Sequence, residues 1–251
     1  MTTITVLTWN LFWALGHPTS TPDTARRILQ YARQRNDRTT ITRIAAAITQ
    51  LRPDIIGAQE IDGGSRRNGQ FNQVDALGER LSLPHTAFAA DRRWLRYCND
   101  GNALLSRFSL TTIKEIVLPY RVERRVAIKG TVRLNNRPID VYVTHFGAHS
   151  VNRKERQAQA RALREEIRRS ARSAIVMGDL NCGPDDEAYR ILCAGGLLRG
   201  LAHTPTYPAS RPTRIYDHIL CTEGLKILEC RTVDVKHSDH LAVFARIKVL
   251  R

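Results

Sequence analysis

Short apolar runs recur along this chain, and one after another stops on a polar side chain suited to metal, phosphate or proton chemistry. Residues 4–9 stop at Asn10, 54–58 at Gln59-Glu60, 139–144 at His145, and 174–177 at Gly178-Asp179-Leu180-Asn181. Alternating or continuous apolar runs of this length, bounded by turn residues, are strands. Further runs at 102–106, 112–118, 125–134, 215–221, 226–233 and 241–249 predict more strands, several adjoining one another, with Asn135-Asn136 as a tight turn between two of them. Helical spacing is confined to 22–35, 40–51, 74–81, 152–171 and 185–194. In 152–171 the stripe is Ala158, Ala162, Leu163, Ile167 and Ala171, with the arginine run as its solvated face. Strands that outnumber helices in this way predict large mixed sheets with helices on their outer faces and exclude a doubly wound parallel fold.

No linker, low-complexity segment or compositional break divides the 251 residues, which predicts one domain over 1–251. The five cysteines are scattered without a C-x-x-C pair, which argues against a disulfide framework or a zinc site, and Cys182 has no activating base nearby in sequence. No run approaches the roughly 20 apolar residues of a membrane span, and the start of the chain lacks a basic n-region. A cytoplasmic protein without stable membrane insertion is the expectation. The net charge is +15, carried mostly by arginine, and favours anionic partners: nucleic acid, phosphorylated small molecules or an anionic membrane surface. Arginine clusters at Arg66-Arg67, 92–97 and 121–125 are candidate nucleic-acid contacts, the second with interleaved aromatics.

Asp179 and Asn181 stand at i and i+2, a spacing that on an extended chain points both side chains to one site. Alone, the pair reads first as a turn, since Asp and Asn are common turn residues. Asn10 alone reads as a turn cap, His145 as a core histidine, and Asp217, inside R-I-Y-D-H-I-L, as half of a salt bridge. Together with Glu60 and with Ser238-Asp239-His240, they form a set of another kind. Asn, Glu and Asp are hard oxygen donors suited to Mg²⁺ or Mn²⁺. The histidines and remaining carboxylates supply the proton and charge management of phosphoester hydrolysis. A Ser-His-Asp hydrolase is disfavoured because there is no G-x-S-x-G elbow, and P-loop and Rossmann fingerprints are also missing.

These residues resemble the endonuclease/exonuclease/phosphatase superfamily, the DNase I-like metal-dependent hydrolases. The resemblance is carried in order by T-W-N (8–10), A-Q-E (58–60), G-N-A-L-L-S-R (101–107), R-V-A (125–127), V-T-H-F (143–146), M-G-D-L-N (177–181), I-Y-D-H-I (215–219) and S-D-H-L (238–241). It implies a four-layered α/β (α+β) sandwich, two packed mixed β-sheets flanked by helices, with the site in a cleft at their loop ends. It further implies a Mg²⁺ ion (Mn²⁺ as alternative) held by Asn10, Glu60 and Asp239. Asp179 would orient or deprotonate water, and Asn181 would hold that water or a phosphate oxygen. His240 backed by Asp217 would contact the scissile phosphate, and His145 would stabilise developing charge or assist the leaving group. Asn102 and Arg125 would be further phosphate contacts. Phe12 stands where the family's repair nucleases carry Asp, and residues 13–39 resemble an insertion bordering the cleft. The implied activity is Mg²⁺-dependent phosphoester hydrolysis, read as a phosphodiesterase, and the positive charge with its arginine clusters makes nucleic acid the favoured substrate. The alternatives are phosphorylated lipids, inositols or nucleotides, and, more remotely, an inactive binding module of the same fold.

Overall fold

A computed structural model of the chain describes residues 2–32, 38–94, 97–148 and 153–250. The strands are β1 (Thr3–Asn10), β2 (Ile55–Asp62), β3 (His85–Trp94), β4 (Cys98–Ser106), β5 (Thr111–Leu118), β6 (Arg125–Leu134), β7 (Arg137–His145), β8 (Ala174–Asp179), β9 (Arg199–Gly200), β10 (Asp217–Cys221), β11 (Leu225–Val233) and β12 (Ala242–Val249). The helices are α1 (Thr21–Ala32), α2 (Arg38–Thr49), α3 (Gln73–Leu81), α4 (Arg153–Ser170) and α5 (Glu187–Cys193). They build two mixed sheets, β11-β12-β1-β2-β4-β3 and β5-β6-β7-β8-β10-β9.

Each sheet is antiparallel except for one central parallel pair, β1 with β2 and β7 with β8. Parallel neighbours need a crossover, and helices lie in both: α1 and α2 between β1 and β2, α4 between β7 and β8. Ile4, Val6, Val141, Val143, Ile175 and Met177 point into the core between the sheets. On the outer face of the first sheet, Leu7, Trp9 and Ile56 pack with Ile41, Ile44 and Ile48 of α2 and Val74 and Leu77 of α3. On that of the second, Tyr142 and Val176 pack with Leu163 and Ile167 of α4 and Leu192 of α5. This four-layered α+β sandwich explains why 174–177 is apolar on both faces rather than alternating. At Gly57 a Cβ would lie 2.7 Å from Met177 of the facing sheet, so glycine lets the two sheets close there.

Three details differ from the sequence reading. The strand β3 escaped it, because alanines and a run of charges mask its periodicity. Of the 92–97 cluster, 92–94 end that strand, and 95–96 lie outside the described residues. The buried stripe of α4 is Arg156, Gln159, Ala160, Leu163 and Ile167, rotated from the alanine stripe expected, and Ala171 is exposed beyond the helix. The rotation has a cause in hydrogen bonding: Gln159 accepts from Gly147 N at 2.9 Å and donates to Pro119 O at 3.2 Å, while Arg156 donates to Gly147 O at 2.9 Å. Those two side chains fasten the loop that follows His145. The expected helix over 22–35 is described as far as Ala32, and 33–37 lie outside the described residues. No helix among the described residues is long and apolar enough to cross a membrane.

Candidate active site

The two parallel pairs end at the same edge of the sandwich. Asn10 closes β1, Glu60 lies near the end of β2, His145 closes β7 and Asp179 closes β8. With Asn181, Asp239 and His240 they line a cleft of about 790 Å³. Seven of the ten candidate residues therefore meet in one place: Asn10, Glu60, His145, Asp179, Asn181, Asp239 and His240. The backbone there is locally unusual. Gln59 and Glu60 together oppose the single residue Asn102 of β4, a β-bulge with Glu60 at φ +50°. Bulges re-aim side chains beside active sites. Asn181, at φ +49°, no longer continues the strand; its N–H donates to Asp179 Oδ1 at 2.8 Å. Asp179 and Asn181 thus share the cleft through a turn, not through strand alternation. At Gly178 a Cβ would lie 1.9 Å from Thr144 O of β7, so only glycine allows the approach that places Asp179.

Asp179 is the centre of the arrangement. Its Oδ2 accepts from Asn10 Nδ2 at 3.1 Å and lies 3.5 Å from His145 Nε2 and 3.7 Å from His240 Nε2. Burial raises its pKa to about 6, as does the charge of Asp217, against the opposing pull of His240 and of hydrogen bonds from Asn181 and Asn10. His145 Nδ1 faces Arg125 Nη1 at 3.0 Å. Because a guanidinium can only donate, Nδ1 is the acceptor, and the neutral ring carries its proton on Nε2, toward Asp179. His240 is the opposite case. Burial lowers its pKa, but Asp217, Asp179 and Asp239 outweigh that and hold it well above the ordinary value. Its Nδ1 bonds Asp217 Oδ2 at 2.8 Å, and its backbone is pinned by Trp9 Nε1, which donates to His240 O at 2.9 Å.

Two groupings could hold a metal ion. Ligand atoms of Asp179, Asp217 and His240 lie within 4.8 Å of one another. In that trio, however, a protonated imidazole already compensates the carboxylates. The other grouping is Glu60 with Asp239: burial, then Asp239 and Asp179, push the Glu60 pKa up to about 8 against the pull of Arg125 and His240, and burial raises Asp239 against that of His240. Two carboxyl groups held together out of water, each raising the other, are eased by a cation between them. With Asn10, whose Oδ1 is oriented by Phe12 N at 3.0 Å, the donor set is all hard oxygen and fits a divalent cation such as Mg²⁺.

Three candidates do not line the cleft. Asp217 stands behind His240, fully buried. Asn102 is also buried, its amide donating to Val126 O at 2.9 Å. Arg125, 3% exposed, is engaged by Asp91 at 3.3 Å, Glu123 at 2.9 Å and His145. These two residues, expected as phosphate contacts, lie behind the cleft: Arg125 bonds His145, and Asn102 ties the strand edge beneath it. In two of the arginine clusters part of the charge is taken up within the protein, while Arg66 and Arg121 are exposed. Arg67 is buried against Asp100 at 2.9 Å, and Arg124 pairs with Glu115. Cys182 is buried, and burial pushes its thiol up to about 12, far from a nucleophile.

What the sequence reading missed is the cleft's outer wall. Tyr207 stacks on Tyr216 (centroids 5.5 Å, 24°) and lies 4.7 Å from the His240 ring. Arg214 bonds the Tyr216 hydroxyl at 2.6 Å, and Arg153 and Arg156 of α4 also line the cleft. These residues sit in loops or at a helix start, where no periodicity marks them. The only signal is composition, P-T-Y-P and T-R-I-Y-D beside the Asp217 motif. Part of the stretch 13–39 lies beside this wall: His17 Nδ1 is 3.0 Å from Ser238 O, and Pro18, Ser20, Thr21 and Thr24 face Tyr207–Ser210 and Asp239 across a cavity of about 240 Å³.

Comparison with known proteins gives a match to the Endonuclease/Exonuclease/phosphatase family over residues 7–240. Among solved structures, an endonuclease/exonuclease/phosphatase from Beutenbergia cavernae is similar at 20% identity and TM-score 0.75, covering 100% of this chain and 72% of that one. The human Nocturnin catalytic domain with bound sulfate is similar at 21% and 0.74, covering 98% and 94%. A mannosyl-6-phosphatase from Bacteroides thetaiotaomicron is similar at 18% and 0.72, covering 98% and 99%.

Proposed function

From a chain that belongs to the endonuclease/exonuclease/phosphatase family, and is a phosphoester-hydrolysing enzyme of that type, we propose a Mg²⁺-dependent phosphodiesterase whose substrate is nucleic acid. Asn10, Glu60 and Asp239 would hold the ion, which when bound polarises the phosphoryl oxygens and neutralises their charge. Asp179, with its pKa near 6, is ionised at neutral pH and orients or deprotonates the attacking water. Asn181 steadies that water or a phosphate oxygen. His145 presents a fixed Nε2–H to the charge that develops on the phosphoryl group. His240, kept protonated by Asp217, balances that charge from the other side. Asp217 and Arg125 are positioning residues in this scheme: one sets the charge of His240, the other the tautomer of His145.

The observation that carries the substrate reading is the Tyr207–Tyr216 stack beside His240, with Arg153, Arg156 and Arg214 on the same cleft. Planar aromatic faces next to cations suit a base and its flanking phosphates. A phosphorylated lipid headgroup has one observation in its favour. Tyr120 and Val122 are exposed, Val122 by 78%, beside Arg121 in the loop that leads to Arg125.

The deciding experiment is hydrolysis of supercoiled plasmid, single-stranded oligonucleotide and a phosphoinositide panel with Mg²⁺, Mn²⁺ or EDTA, beside a Glu60→Ala/Asp179→Ala double variant. Metal-dependent cutting of nucleic acid, lost in the variant, supports the proposal. Headgroup or phosphate release with nucleic acid left intact overturns it in favour of the lipid or small-molecule reading.

A further inference from the structure

A second basic cavity lies at the other end of the second sheet, between the end of α4, the Gly195-Gly196 turn and the start of β8. Its volume is about 610 Å³, and it is lined by Arg164, Arg168, Arg172, Ser173 and Thr222, with Glu223 as the one acid. The arginines at 164, 168 and 172 follow one another at the i, i+4 spacing that stacks side chains on one helix face, the last lying just beyond the helix. They differ in how they are tied. Arg164 donates to Ala194 O at 3.1 Å, which aims its head across the cavity while its Nε is buried without a partner. Arg172 reaches Asp140 at 3.5 Å. Arg168 is exposed, and no acidic partner for it is found among the described residues; its neighbours Arg169 and Lys114 take up Glu165 and Glu166. Both glycines have positive φ (+67° and +69°), and Arg199 packs on Gly196 from the far side.

The same helix that ends at this cavity begins at the cleft, where it contributes Arg153 and Arg156. From Arg156 to Arg168 the helix rises about 18 Å at 1.5 Å per residue. That is about five nucleotides at 3.4 Å of rise per nucleotide. A monoester or a headgroup cannot reach from one end to the other; a polyanionic chain can.

We propose that this cavity is a non-catalytic phosphate-binding site that holds the backbone of a nucleic-acid strand whose scissile phosphate lies in the cleft. The inference rests on the nuclease reading above and adds a length requirement to it. It is tested by steady-state cleavage of a single-stranded oligonucleotide of about 20 nucleotides, a trinucleotide and bis(p-nitrophenyl) phosphate, across a salt series. Two variants run beside the wild type: Arg164→Gln/Arg168→Gln/Arg172→Gln and the single Arg168→Glu, at an exposed side chain with no acidic partner among the described residues. The long substrate loses roughly tenfold in kcat/KM in the triple variant, and its log–log salt slope becomes shallower by about 2, at roughly 0.7 for each of three phosphate contacts. Arg168→Glu shows the same trend, and turnover of the two short substrates stays at the wild-type level. Unchanged kcat/KM and salt slope on the long substrate, with the small diester still cut, overturn the inference alone. A wild type that cuts the small diester but no oligonucleotide of any length overturns the nuclease reading and this inference with it. Should the triple variant lose the small diester as well, Arg168→Glu decides between these outcomes.

Discussion

His218→Gln should change how stability depends on pH, and by an amount that the structure sets. His218 follows Asp217 on β10 and points away from the cleft, buried, with Nε2 donating to Cys182 O at 2.8 Å and its ring against Tyr189 and His203. Burial lowers its pKa to about 4; the Cys182 carbonyl pulls the other way without prevailing. In the unfolded chain the imidazole titrates near 6.5. Between about pH 6.5 and 4 the unfolded state therefore binds the proton that the native state refuses. Native stability is full above pH 6.5 and falls as pH drops through that window. At 1.36 kcal/mol per pH unit, the loss from this one residue reaches about 3 kcal/mol at pH 4. Glutamine keeps a neutral donor toward Cys182 and cannot titrate. It costs roughly 1 kcal/mol at pH 7 through a poorer hydrogen bond and lost ring contacts. Urea unfolding followed by tryptophan fluorescence, from pH 7 to pH 4, compares the two proteins. The difference between them should shift by about 3 kcal/mol in favour of the variant, so that it is the more stable protein at the acid end. Other groups that titrate in this range, Asp179 and Asp91 among them, are common to both and drop out of the difference. A difference that stays constant over the window would refute the reasoning. The residue matters to the site because Cys182 and Gly183, which its bond holds, continue the turn that carries Asn181.

Asp217→Asn leaves the shape of the site but removes the carboxylate 2.8 Å from His240, so kcat should fall by about two orders of magnitude. The alkaline limb of the rate profile should also move to lower pH, since His240 then loses its proton more readily; an unmoved limb would show that His240 is not the group observed. Gly178→Ala would drive a methyl group to 1.9 Å from Thr144 O between two paired strands. A loss of about 3 kcal/mol or more in thermal or urea unfolding is expected, with activity lost in whatever protein folds. Replacing 14–37 with a short linker removes Pro18, Ser20, Thr21 and Thr24 from beside Asp239 and should raise KM and alter the preference among substrates. The same substrate panel with an unchanged order of preference would show that this stretch only covers the site.

The candidate site was legible in the sequence because the fold writes it in a regular way. Parallel neighbours expose their carboxyl ends together, so Asn10, Glu60, His145 and Asp179 could be read as the last residues of apolar runs. Charge was far less legible. Arg67 and Arg125 looked like surface cations because their partners, Asp100 and Asp91, lie 33 and 34 residues away in sequence. A buried ion pair of such separation leaves no local pattern. Tyr207, Tyr216 and Arg214 were missed for the converse reason: they reach the cleft from a loop, whose course no periodicity predicts.

The G-N-A motif shapes the site through the backbone around it. Both neighbours of β4 carry an extra residue at the same level. Gln59 and Glu60 of β2 oppose Asn102 on one side, and Asp91 of β3 is the additional residue opposite Gly101 and Asp100 on the other. The first bulge turns Glu60 toward the cleft. The second turns Asp91 inward, where it accepts from Val126 N at 2.8 Å and pairs with Arg125. At Gly101 a Cβ would meet Ala89 O at 2.1 Å, so the strands can close around the bulge only with glycine there. Asn102 then ties this edge to the second sheet through Val126 O. A chain of contacts runs from Asp91 to Arg125 and on to His145 Nδ1, which fixes the tautomer that points a proton at Asp179. The motif is thus read best as backbone geometry. It aims Glu60 from one side of β4 and, through Arg125, His145 from the other.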